Sequence, residues 1–213
     1  MSSTESDLAS TTVDGRRQRA QITRKNIVDA AIALQHEGNM RPSMQQISER
    51  AGVSLRTAFQ HFPEKPQLTR AILDELTRLN RVELPEGEFV RQTPLETRIT
   101  RFLDIRIRQL EAITPHRRAS NAMITTWPLV QKHRLKVRKR YREFVEAWFA
   151  PEFDRLRVAR RQQWLVAIAT LVDWEMWQSL RTYPTRGIAE AKAALRLLLT
   201  AALSSLDDEA KQK

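Results

Sequence analysis

From residue 41 onward, apolar positions recur with the period of a helix, and the pattern is punctuated by residues that stop one. In RPSMQQISERAGVSLRTAFQHFPEK, residues 41–65, Met44, Ile47 and Ala51 share one face of a first short helix, Ala58, Phe59 and Phe62 one face of a second, and Val53 falls in the bend between them. Ser43 stands where an N-cap hydroxyl accepts a bond from an orphan amide, Gly52 where a left-handed residue turns the chain, and Ser54 where the next helix needs its own cap. The pattern predicts two helices fixed at an angle about a tight glycine turn, a helix-turn-helix. Leu55, Arg56, Gln60 and His61 are left facing outward. Pro63 follows the second helix, and a further helix opens near Lys65 and runs through Leu68, Ile72, Leu73 and Leu76.

Outside this region the periodicity is also helical. Residues 1–15 are rich in Ser, Thr and Asp and predict a disordered tail. Arg16, Arg17, Arg19, Arg24 and Lys25 follow, either as a solvated basic helix start or as an arm that touches a nucleic-acid backbone or minor groove. A break is expected at LPEGEFVRQT, residues 84–93. Beyond it, helical segments start near Pro94, Pro115 and Pro128, each opening on a proline, and long helices over about 157–182 and 185–206 close the chain. With no strand-like alternation and no internal repeat, the fold class is all-α. The expected domains are a helix-turn-helix domain over 16–80 and a larger helical domain over 81–213.

The strings IVDAAIALQHEG and SMQQISERAGVSLRTAFQHFPEKPQL resemble the DNA-binding signature of the TetR family of one-component transcriptional regulators, from near residue 22 to about 79 with unbroken spacing. The chain departs from the family pattern at three places. Arg56 stands where a small residue is usual, although arginine is a familiar variant, Ala58 where leucine is common, and Phe59 where tyrosine is common. Phenylalanine at 59 lacks the hydroxyl with which the family makes one phosphate contact. The resemblance implies a homodimer on a near-palindromic operator in double-stranded DNA, with a helical domain that binds a small-molecule effector and dimerises.

Composition changes this picture little. The 213-residue chain is long enough for two cores, and its formal charge of +11 favours a polyanionic partner, since each phosphate neutralised releases counterions. Zero cysteine excludes disulfides and thiolate metal sites. No apolar run approaches the roughly 20 residues of a membrane helix, and the polar start of the chain does not read as a secretory signal. These features suggest a cytoplasmic protein with no membrane partner.

Candidate roles follow from side-chain chemistry. Arg56 can donate twice to guanine, Gln60 can pair with adenine, and Leu55 can meet a thymine methyl. Gln45 occupies a position from which members of the resembled family reach a further base or phosphate. Ser43, Ser54, Thr57, His61 and Lys65 suit sugar and phosphate. Dimerisation is expected through the last two helices, on faces carrying Trp164, Leu165, Ile168, Leu171 and Val172, and Ala191, Leu195, Leu198, Leu199, Ala202 and Leu206; the plainer reading is that these fill the core of one subunit. Aromatic and methionine-rich positions suit an effector pocket: Phe102, Ile105, Met123, Trp127, Phe144, Trp148, Trp174 and Trp177, with Asp173 and Glu175 placed to pair with a cationic ligand, to pair with a neighbouring arginine or to sit at the dimer seam. Each aromatic can equally be ordinary core. The run KHRLKVRKRYR, residues 132–142, holds seven lysines and arginines in eleven positions, most simply as a solvated face, otherwise for an anionic effector or extra DNA backbone.

Catalytic readings find no footing. The four histidines, His36, His61, His116 and His133, lack metal-ligand spacing, and there is neither a glycine-rich phosphate loop nor a recognisable Ser, His and Asp set. No cofactor is expected. The remaining alternative is a nucleoid-type DNA-binding factor, or one controlled by a protein partner, without a small-molecule effector.

Overall fold

The computed structural model describes residues 4–81, 83–121, 127–182 and 187–211, and among them every regular element is a helix. The chain divides into two compact units: residues 1–79 with 115–130, and residues 80–114 with 131–213.

The first unit holds α1 (Thr4–His36), α2 (Met44–Ala51), α3 (Leu55–His61) and α4 (Lys65–Leu79). α1 reaches back to Thr4, inside the segment for which composition predicts a disordered tail. Its second half carries Ile27, Val28, Ala30, Ala31 and Ile32, all buried, a stripe wide enough to receive three helices at once. Ile47 of α2, Ala58 of α3, Phe62 and Leu68 of α4 close on that stripe as one core. Gly52 ends α2 at φ 68°, the left-handed conformation a side chain disfavours, and the amides of Gly52 and Val53 bond back to Glu49 and Ser48.

The second unit holds α5 (Gly87–Gln92), most of α6 (Leu95–Asn121) and α7 (Pro128–Trp148), then α8 (Ala150–Phe153), α9 (Val158–Leu171), α10 (Trp174–Thr182) and α11 (Ile188–Lys211). Its core runs through Ile99, Phe102, Leu103, Ile107 and Leu110 of α6, Phe144 and Trp148 of α7, Trp174 and Trp177 of α10, and Leu195, Leu199, Leu203 and Leu206 of α11. Inside this apolar core Arg98 makes a bidentate pair with Glu152 at 2.6 and 2.8 Å and also donates to the carbonyl of Trp148.

Four expectations from sequence are revised here. The break at 84–93 contains α5, pinned by Val90, which is 2% exposed. Pro115 does not open a helix but lies inside α6, which forgoes one amide bond and continues because Leu110, Thr114, His116 and Ala119 on either side of it are buried. The long helix over 157–182 is two helices: Arg106 donates to the carbonyl of Val172 at 2.7 Å, ending α9, and the carbonyl of Asp173 takes the first amide bond of α10 from Trp177. Finally, the apolar faces assigned to a dimer seam are largely interior to one chain. Leu165, Ile168, Val172, Ala191, Leu195, Leu199 and Leu206 are buried, Trp164, Leu171 and Ala202 half-buried, and Leu198 alone of the set is exposed. The large apolar side chains that α9 and α11 leave in solvent are Val158, Val166, Ile188, Leu197 and Leu198.

Candidate nucleic-acid interface

The two short helices of the first unit are held by local bonds that the sequence spells out. Ser43 accepts from the amide of Gln46 at 3.2 Å while the Gln46 side chain accepts from the amide of Ser43 at 2.9 Å, a complete capping box. Ser54 caps α3 by accepting from the amide of Thr57 at 3.0 Å, and the two hydroxyls lie 2.8 Å apart. Both serines therefore have structural work, and each remains exposed enough to meet a phosphate as well.

α3 is only seven residues long, so its faces are simply partitioned. Ala58 and, just past its end, Phe62 point into the core, fully buried; Leu55, Arg56, Phe59 and Gln60 form the opposite face, and Thr57 and His61 sit at its flanks, half-buried. The sequence reading that put Phe59 on the core face is corrected: it is 47% exposed, because the single turn from Ala58 to Phe62 already fills the interior and the next position is rotated about 100° away. Phe59 stands one turn after Leu55, giving the exposed face an apolar pair beside the polar pair Arg56 and Gln60. The i, i+4 spacing of Leu55 and Phe59 was the available signal, and the similarity of Phe59 to neighbouring core aromatics masked it.

Arg24 is the second residue whose role the sequence reading missed. Its guanidinium donates to the carbonyl of His61 at 2.8 Å and lies 4.1 Å from the centre of the Phe62 ring, tying α1 to the C-terminal end of α3. It is thus not a free member of the basic arm. Arg16 and Arg17 are exposed on α1, and Arg19 bonds back to the carbonyl of Gly15. On α2, exposed Gln45 donates to Glu49 at 2.6 Å, a bond it must give up to reach a base. Lys65 is exposed at the first residue of α4, where the helix dipole adds positive potential.

The residues proposed for an effector pocket lie in several different settings among the described residues. Phe102 and Phe144 stack at 5.3 Å between ring centres, fully buried. Trp174 donates to Thr114 at 3.0 Å and Trp177 to Glu111 at 2.6 Å, and both rings are buried. Asp173 and Glu175 both face Arg138, the neighbouring-arginine option of the sequence reading. Trp127 belongs to the first unit, and Met123 lies outside the described residues. Ile105 and Trp148 do line an open cleft of about 410 Å³ in the second unit, together with Phe89, Arg101 and Arg108. Within the basic run, Lys132, Lys136, Lys139, Arg140 and Arg142 are exposed on α7.

Comparison with known proteins gives the same answer for the first unit. Residues 27–72 match the family described as bacterial regulatory proteins, tetR family. Among solved structures, the chain is similar to a TetR transcriptional regulator from Rhodococcus sp. RHA1, at 20% identity and a TM-score of 0.48 over 89% of this chain and 97% of that one. No curated protein matches.

Proposed function

We propose that this chain, whose residues 27–72 match the tetR family of bacterial regulatory proteins, is a transcriptional repressor that binds a near-palindromic operator as a homodimer and is released by a small molecule. The observation that carries the DNA-binding part is the exposed face of α3: Leu55, Arg56, Phe59 and Gln60 project from a helix capped by Ser54 at one end and clamped by Arg24 at the other. Such a face presents a bidentate donor, an amide that pairs with adenine, and apolar surface for thymine methyls. One head reads only a few base pairs, so a symmetric pair of heads supplies the needed specificity. The exposed Val166 of α9 and Leu197 and Leu198 of α11 support pairing of two chains. Release follows from linkage: a ligand that prefers the spacing of heads unable to bind DNA weakens operator binding by its differential affinity.

The test is selection of genomic fragments by the purified protein at about 0.15 M salt. A recurrent sequence with two-fold symmetry supports the reading. Salt-sensitive, sequence-blind capture would replace it with a nucleoid-type factor, the second reading, which draws its support from the exposed cations of α7.

A further inference from the structure

The aromatic cluster of the second unit is buried, whereas the outer face of α6 borders an open cleft. Arg101, Asp104, Ile105 and Arg108 recur at helical spacing along one stripe, and this stripe floors the open cleft of about 410 Å³. Pro85, Phe89 and Trp148 wall it, and its volume lies within the range of small-molecule sites, about 300–1,000 Å³.

Trp148 is 4% exposed and packs edge-on against Phe89, Phe102 and Phe144, so it is a fixed wall of the cleft. Two cations of the cleft are unspent. The Arg101 guanidinium lies 4.9 Å from the centre of the Phe89 ring and has no carboxylate partner among the described residues. Arg108 spends only its Nε, on the carbonyl of Asp104, leaving its terminal nitrogens to solvent. The acidic side is weaker, because Lys192 takes Asp104 and only Glu83 remains against two guanidiniums.

We infer that this cleft binds an amphipathic organic anion, a flat apolar body bearing a carboxylate or sulfonate. The body lies on Pro85, Phe89 and Ile105, and the anionic group meets Arg101 and Arg108. Charge-assisted bonds to guanidinium are strong and geometrically selective, so the charge rather than the apolar body sets the preference. A cationic ligand is disfavoured by the same two arginines. The inference rests on the ligand-responsive reading above and supplies the ligand's chemical class.

The test is a fluorescence titration of the full chain with anilinonaphthalene sulfonate and with its uncharged counterpart phenylnaphthylamine. The sulfonate is expected to bind saturably and about tenfold more tightly than the neutral probe. The double substitution Arg101→Gln, Arg108→Gln, on exposed side chains, is expected to abolish that preference while leaving the neutral probe unchanged. Equal binding of the two probes, or a double variant that still prefers the sulfonate, overturns the proposal. Operator binding measured in the same samples separates the two readings. Charge-selective binding that leaves DNA affinity unchanged upholds the cleft and removes the effector role. A cleft that fails, beside a repressor released by some other compound, does the reverse.

Discussion

The Nε2 atoms of His36 and His116 stand 2.9 Å apart, with their rings nearly perpendicular at 86°. His116 is buried, and its Nδ1 lies 2.9 Å from Oε1 of Gln35. The amide oxygen can only accept, so Nδ1 of His116 carries the proton and its Nε2 accepts from His36. The two bonds fasten the last turn of α1 to the segment of α6 that belongs to the same unit.

This arrangement requires a neutral His116, and burial, followed by the charge on His36, pushes its pKa down to about 4 from 6.5. Between those values the unfolded chain holds a proton that the folded one does not. The contribution to stability is therefore complete above pH 6.5 and is lost as pH falls toward 4. Urea midpoints measured at several pH values across this window should fall with acid in the wild type and fall less in His116→Gln. Equal slopes for the two proteins would remove His116 from the acid response.

Arg56 and Lys65 should separate cleanly in DNA binding. Arg56→Ala is expected to cost about 1–3 kcal/mol on the operator and to relax one base position. Lys65→Ala should weaken operator and random duplex alike and reduce the log-log salt slope by about 0.9, one phosphate's worth. If the two variants behave identically on both duplexes, the assigned roles are wrong.

Arg24 is expected to act on operator binding through its hold on α3. Arg24→Ala removes a bond to the His61 carbonyl and the stacking on Phe62, so operator affinity should fall by about 1 kcal/mol with the salt slope unchanged. A lowered salt slope and equal losses on specific and random DNA would instead identify Arg24 as a phosphate contact.

The buried Arg98 and Glu152 pair predicts an asymmetry between single and double substitutions. Glu152→Leu leaves an uncompensated guanidinium in the core and should destabilise by about 3–5 kcal/mol in chemical denaturation. Adding Arg98→Met should recover most of that loss. A double variant no more stable than Glu152→Leu alone would show that the Arg98 bonds to the Thr93 and Trp148 carbonyls matter more than the ion pair.

Pairing of two chains is expected to depend on side chains that are exposed in one chain. Leu197 is 72% exposed, and Leu197→Glu should shift the mass measured by sedimentation from two chains to one without lowering thermal stability of the monomer. Buried Leu195 or Leu199 would give unfolding instead, since their removal opens a core cavity. Wild type that already sediments as a single chain would refute the dimer.

The sequence by itself determined the helical class and the short capped helices of residues 43–61. Period, caps and the glycine turn are local: Ser43, Gly52 and Ser54 act within four residues of themselves, so their roles can be read without knowing the fold, and the outward face of Leu55, Arg56 and Gln60 follows from them. Tertiary structure decided what depends on distant partners. An apolar stripe does not say whether its cover is the same chain or another, which is why Leu165 and Leu195 read as seam and proved to be core. Phe59 read as core and is exposed, because Ala58 and Phe62 had already filled the space against α1. Arg24 meeting His61, Arg106 ending α9 and Arg101 flanking an open cleft each join residues far apart in sequence, and no local period records which arginine the folded chain will spend and which it will leave free.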